Sequence, residues 1–408
     1  MARRGTVRAG IAALALLPLA LGACGGGSGG GTASGDPNTL RVLDYHNDEP
    51  NKTVWQGLLD DCGTEVGVSV ERESVPGETL ISKVLQQSSS RTLPDVLMLD
   101  NPDLQQIAAT GALAPLGEYG ASTEGYAQGV VDASTYEGEL YGLQPVTNTI
   151  ALFYNEEVFQ AAGLQPPTTW DELKTTAQAL TQGDQYGIAF SAMNSFEGTW
   201  QFLPFMWSNG GDERDIATPE SEQALQLWVD LVSSGSASKS VVTWGQADVA
   251  DQFKAGNAAM MVNGPWNFGS LAENPDLKYG IVPIPAPTAG GTVVSPFGGE
   301  TWTVPRTGDE DKQAKAAEFV QCLNSDENMV AAAVGTNTVP TKPALTEQAV
   351  SQVPALASFA EQVPDLRSRT GELGEEWPDA ATRIYTAVQN ALVGGMSAAD
   401  ALRQAQDG

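Results

Sequence analysis

From about residue 40 onward the chain alternates short apolar runs with amphipathic stretches, and that rhythm predicts its architecture. Leu40–Leu43 reads as a strand, followed by a polar loop to Pro50 and a helix over about 53–62 with Val54, Leu58 and Leu59 on one side. Val66–Val70 predicts a second strand. Residues 79–88 predict a second helix carrying Leu80, Ile81, Val84 and Leu85, and Pro94–Leu99 a buried strand that stops at Asp100-Asn101-Pro102. This β-α-β-α-β order implies an α/β fold with a mainly parallel sheet and helices on both faces. Ligands of such sheets sit beyond the carboxyl ends of the strands, which places Tyr45, His46, Asp100 and Asn101 on a candidate rim.

Further along, Ile150–Tyr154 and Tyr186–Phe190 predict strands, the latter followed by a polar loop, Ser191–Ser195. Asn155–Ala162 predicts a helix, and Thr169-Trp-Asp-Glu172 is a capping box opening another that runs to about Leu180. An aromatic helix is expected over 200–207, with more helices over 221–233, 249–254, 313–323, 354–361 and 379–392. No self-similarity at a period of roughly 20–50 residues is apparent, which argues against solenoids and propellers.

The first residues have a different character. Arg3, Arg4 and Arg8 precede an apolar run, Ile11–Leu21, too short to span a bilayer as a mature helix, so residues 1–23 read as a secretory leader. Leu21-Gly22-Ala23-Cys24 offers a lipoprotein signal peptidase its substrate, with Cys24 as the acylated residue. Residues 24–38 form a glycine-rich tether with nothing to pack. No second apolar stretch approaches membrane-spanning length, so the expected membrane contact is the lipid anchor alone, on the outer face.

Composition narrows the function. The body is too long for one compact core and suits two lobes. With 50 Asp and Glu against 21 Lys and Arg, the net charge of −29 repels nucleic acid and anionic lipid. Beyond Cys24 the cysteines are Cys62 and Cys322, which in an oxidising setting either bond to each other or stay as two buried thiols. A single histidine, His46, leaves no way to build a Cys/His metal site or a zinc-protease motif, and no cofactor motif is present. Acids are plentiful enough for a secreted glycoside hydrolase working with paired carboxylates, which stands as the rival class.

Several segments, in order, resemble the extracellular solute-binding proteins of carbohydrate ABC transporters, the family that includes maltose-binding protein. They are Glu137–Pro145 (EGELYGLQP), Leu152–Glu156 (LFYNE), Pro167–Leu173 (PTTWDEL) and above all Phe253–Trp266 (FKAGNAAMMVNGPW). Tyr279–Pro285, Phe297–Trp302 (FGGETW), Ala316–Ser325 and Thr338–Thr341 follow, so the likeness runs from about Leu40 to Arg403. The resemblance implies two discontinuous α/β lobes of the type II periplasmic-binding-protein fold, joined by a multi-segment hinge. One lobe would take 38–145 and 288–340, the other 149–285 and 344–408. It implies a monomeric binder, not an enzyme, that captures a sugar between the lobes and hands it to ABC permease subunits. A polyol, a glycerophosphodiester or a cationic compound remains as an alternative solute. It also puts Cys62 and Cys322 in the same lobe near helix ends, where a disulfide would form.

The resemblance and the residue types together nominate ligand contacts. Sugars present hydroxyls at their edges and C–H patches on their faces, so they suit planar polar groups and aromatic rings. Trp266 matches a family position whose ring stacks on the sugar, and Asn194 and Phe196 match a loop that supplies contacts. Glu300 follows Gly298 and Gly299, whose bare backbone would admit a ligand. Tyr45, His46, Asp100, Trp244 and Trp377 complete the set, while Trp228 and Trp302 are expected in the core. Thr149 stands where the family carries a ligand-touching acid, which implies a ligand other than maltose.

Overall fold

The structure, a computed structural model, describes residues 36–371, 373–393 and 395–408. The leader, Cys24 and all of the tether before residue 36 lie outside the described residues. None of the described helices is long and apolar enough to cross a membrane.

Eight strands build two sheets: β1 Thr39–Asp44, β2 Ser69–Ser74, β3 Val96–Asp100, β4 Gly142–Leu143, β5 Ala151–Asn155, β6 Met260–Asn263, β7 Tyr279–Val282 and β8 Glu300–Thr303. The first sheet has the order β2-β1-β3-β8-β4. β1 is parallel to both β2 and β3, as the alternating pattern predicts, whereas β8 returns antiparallel to β3 and β4. Nearly every side chain of β3 is buried, which explains its unbroken apolar run. The second sheet, β7-β5-β6, is antiparallel throughout.

Each sheet anchors its own core. Trp55, Leu59, Leu97, Leu99, Trp302 and Phe319 pack in the first. Phe190, Phe202, Trp228, Trp377 and Ile384 pack on one face of the second sheet, and Phe153, Phe253, Phe268 and Phe359 on the other. Cys62 on helix Asn51–Val66 and Cys322 on helix Glu310–Leu323 are joined by a disulfide, Cα atoms 5.8 Å apart, within the first core. Ala349 still packs in that core, whereas Leu356 and Phe359 belong to the second half.

Three segments cross between the halves side by side. Val146–Thr147 pairs with Val339–Pro340, Asn148 with Gly298, and Pro296 with Arg367. The Thr147 and Thr149 hydroxyls donate to the Gly298 and Pro296 carbonyls at 2.9 and 2.8 Å. Thr149 is thus buried as a crossing brace and turns no polar group to a ligand.

Local expectations shift where tertiary contacts outweigh pattern. The first helix extends through Val66 and stops at Gly67, whose φ of 76° closes it, so β2 begins only at Ser69. Tyr186–Phe190 is not a strand. Gly187 presses against helix Trp170–Leu180, where a Cβ would lie 2.0 Å from the Ala177 carbonyl oxygen, and the segment makes only isolated pairings at Tyr186 and Ala189. The expected helix over 354–361 is two short turns, Pro354–Leu356 and Ala357–Ala360. The capping box is displaced by one residue. Thr169 accepts from the Glu172 N–H, but the Glu172 carboxylate returns to the Thr168 N–H and hydroxyl.

Candidate functional site: an acidic, aromatic cleft

A cleft of about 640 Å³ lies where the two halves face each other across the crossing segments, within the roughly 300–1,000 Å³ range of small-molecule sites. The turn after β1 supplies Tyr45 and His46 to it. That turn is held by Asp44, whose buried carboxylate accepts from Arg72 Nε (2.6 Å) and Nη2 (3.0 Å), Ser74 Oγ (2.8 Å) and the His46 N–H (2.8 Å). Arg72 Nη2 also donates to the His46 carbonyl at 2.9 Å. Four donors on one carboxylate satisfy a charge that would be costly to bury unpaired.

His46 stacks on Trp55, ring centroids 5.2 Å apart and 10° from parallel. Its side chain is buried with Nε2 unpartnered among protein groups. Burial is the main cause that lowers its pKa to about 4, so the ring is neutral at physiological pH. Tyr45 donates its hydroxyl to Glu300 Oε1 at 2.6 Å. Burial, reinforced by Asp100, lifts the Glu300 carboxyl to about 7, and burial with the Glu300 charge keeps the Tyr45 phenol protonated throughout the working range.

At the end of β3, Asp100 receives two hydrogen bonds from Arg369, at 2.9 and 3.2 Å. The Arg369 guanidinium lies 4.7 Å over the Trp200 ring, so one buried cation is held by both a carboxylate and an aromatic face. Asp103, a turn later, is raised to about 7 by burial and then by the Asp100 charge.

The opposite wall comes from the second half. β6 is buried throughout and ends in the turn Pro265–Asn267, which turns Trp266 out to the cleft. Asn263 fixes this turn: its Oδ1 accepts from the Gly264 N–H and from Asn267 Nδ2, while its Nδ2 donates to the Gln246 carbonyl. Helix Phe196–Ser208 contributes Phe196, Glu197 and Trp200, and Gln246 opens helix Gln246–Lys254, its N–H donating to Glu197.

Tyr45, His46, Asp100, Phe196, Trp266, Gly299 and Glu300 therefore share one cavity, though up to 255 positions separate bonded partners. Four expected residues are absent from it. Asn101 is fully buried, its Nδ2 donating to the Gly299 carbonyl at 3.0 Å. Asn194 points to solvent, because the Ser195 N–H turns back onto the Met193 carbonyl and gives Ser195 and Phe196 to the cleft instead. Trp244 wedges between the two apolar clusters of the second half, and only its neighbour Gln246 reaches the cavity. Trp377 is 2% exposed and starts a core helix. The glycines before Glu300 have another reason as well. A Cβ on Gly298 would lie 2.1 Å from Asn148 Oδ1, and Gly299, at φ 111°, would meet Gln144 Nε2 at 2.3 Å, so chain crossing demands them.

Sequence reasoning missed Trp55, Asp103, Trp200, Gln246 and Arg369. Trp200 was visible only as part of an aromatic helix. Arg369 sits in an irregular stretch with no periodicity, 269 positions from the acid it binds.

The fold and the site define an extracytoplasmic solute-binding protein, and residues 57–358 match the model of the bacterial extracellular solute-binding protein family. The chain belongs to that family, whose members are binding proteins. It is similar to a putative binding protein of Brucella abortus, 28% identical over 236 residues that cover 55% of this chain and 57% of that protein. The chain thus spans a little over half the length of that relative. It is also similar to the maltodextrin-binding protein of Bacillus subtilis, 24% identical over 97% of this chain and 96% of the other. The GacH receptor of Streptomyces glaucescens, solved unliganded and with acarbose, superposes with a TM-score of 0.79 and 26% identity, covering 90% of this chain and 96% of that one.

Proposed function

We propose that this protein captures a carbohydrate in the cleft and delivers it to the permease subunits of an ABC transporter. One jaw comprises residues 38–145 and 288–340, the other 149–285 and 344–408. The separate apolar cores support that division, except that Ala349 packs in the first core while Val339 and the half-buried Val293 and Val294 pack with the second half. The observation that carries the reading is the cavity itself. Rings at Phe196 and Trp266 offer faces to sugar C–H groups, and Asp103, Glu300, Asn148 and Gln246 offer polar edges to hydroxyls. Lipidation of Cys24 would anchor this monomeric binder to the outer face of the membrane, motivated by the leader and the tether behind it.

A thermal-shift screen of mono- and oligosaccharides tests the reading. A ligand at a hundredfold excess over its dissociation constant adds about 2.7 kcal/mol of stability, which appears as a clear rise in melting temperature. A flat response to every carbohydrate, with a rise for a polyol or a glycerophosphodiester, would replace the sugar by that solute. Recovery of the sugar intact after prolonged incubation separates binding from glycoside hydrolysis.

A further inference from the structure

Charge in the cleft is unbalanced in a way that a neutral solute does not correct. Four carboxylates line it, on Asp100, Asp103, Glu197 and Glu300, against one guanidinium, Arg369. That guanidinium is already committed to Asp100 by two hydrogen bonds and lies over Trp200. Glu300 accepts from the Tyr45 hydroxyl, and neither Glu300 nor Asp103 has a Lys or Arg in ion-pair contact among the described residues. His46 contributes no charge. The His46 side chain is 94% buried, since only 6% is exposed, and lines this cavity with its ring held against Trp55. The aromatic face of Trp266 in the same cavity favours a cation over an anion.

We infer that the ligand is a carbohydrate bearing a protonated amine, seated with its ammonium between Glu300 and Asp103. The inference rests on the carbohydrate reading above and names the class within it. A neutral sugar gives each acid a hydroxyl donor but leaves the mutual repulsion of Asp100, Asp103 and Glu300 in place. An ammonium gives the same donors and cancels that repulsion in a partly desolvated site, where charge pairing is worth more than in water. The acidity of the whole chain adds a long-range pull on cations.

The test is calorimetric titration of the purified full chain at pH 7.5 with matched pairs that differ only in amine against hydroxyl. Glucosamine with glucose, galactosamine with galactose, and β-1,4-linked glucosamine oligomers with cello-oligosaccharides of equal length serve, and choline is the non-sugar cation. The expected result is at least tenfold tighter binding of an amine-bearing member than of its neutral partner. Glu300→Gln and Asp103→Asn should each reduce that ratio severalfold while neutral-sugar affinity changes less. Equal or tighter binding of the neutral members overturns the inference and leaves the carbohydrate reading standing. Binding of choline with no sugar overturns the carbohydrate reading and keeps only the cation preference. Binding of none of the probes overturns the inference.

Discussion

Glu300 shows how one residue links the architecture of the cleft to a measurable property. Burial raises its carboxyl to about 7 from an ordinary 4.5, so the folded protein keeps a proton that the unfolded chain has lost. The associated stabilisation is complete below about pH 4.5 and is lost as pH climbs through about 7. Glu300→Gln keeps the Tyr45 hydrogen bond without the charge. Its stability relative to the parent chain should therefore rise by on the order of 1–3 kcal/mol between pH 4.5 and 8, read from urea midpoints of the ligand-free protein. A constant offset across that range would show that the site is well solvated. His46 acts in the opposite sense: its pKa is lowered to about 4, so its share is present above the ordinary value of 6.5 and is lost as pH falls toward 4. His46→Gln should flatten the acid limb and leave the neutral one unchanged. The placement of Tyr45, His46 and Asp100 at strand ends was readable from the alternating pattern, because β1 and β3 end at their predicted positions to within a residue. Arg369 was not readable. Its role depends on a contact with Asp100 and Trp200 that no local pattern encodes.

Among the elements, the helices carrying Cys62 and Cys322 are tied across 260 positions. A crosslink over so long a loop restricts the unfolded chain, and removing one costs about 2–5 kcal/mol in comparable domains. The Cys62→Ser, Cys322→Ser double variant should unfold at lower urea by that amount, with sugar affinity in the native state nearly unchanged, because the bond lies in the first core and not among the cleft residues. A loss of affinity in the folded variant would mean that the two helices hold the cleft wall directly. Amphipathic helices such as Trp170–Leu180 and Pro219–Ser233 were legible because period and capping agree. Asp326–Thr336 was not. Its buried face is Met329, Ala332, Ala333 and Thr336, mostly small residues that contrast weakly with the exposed ones. The strand expected at Tyr186–Phe190 failed for a tertiary reason, the close approach of Gly187 to a neighbouring helix.

At the scale of the molecule, two cores joined by three adjacent crossing segments form a hinge around which the halves can rotate on a ligand. The two-lobed arrangement was legible through the order of motifs along the chain, whereas composition alone gave only a length too great for one core. The shape of the cleft came from the meeting of segments that are remote in sequence. Trp266 is the residue where fold, cleft and proposed ligand meet, since the buried strand β6 and the Asn263-fixed turn exist in this chain to present its ring. The most direct test is isothermal titration of the parent chain and Trp266→Ala with the tightest-binding carbohydrate from the screen. One site per chain is expected, with affinity weakened by about thirtyfold to a thousandfold in the variant, or roughly 2–4 kcal/mol, and an unfolding midpoint of the ligand-free protein that stays close to the parent. Unchanged affinity together with a lowered midpoint would make Trp266 a core residue and contradict sugar capture on its ring.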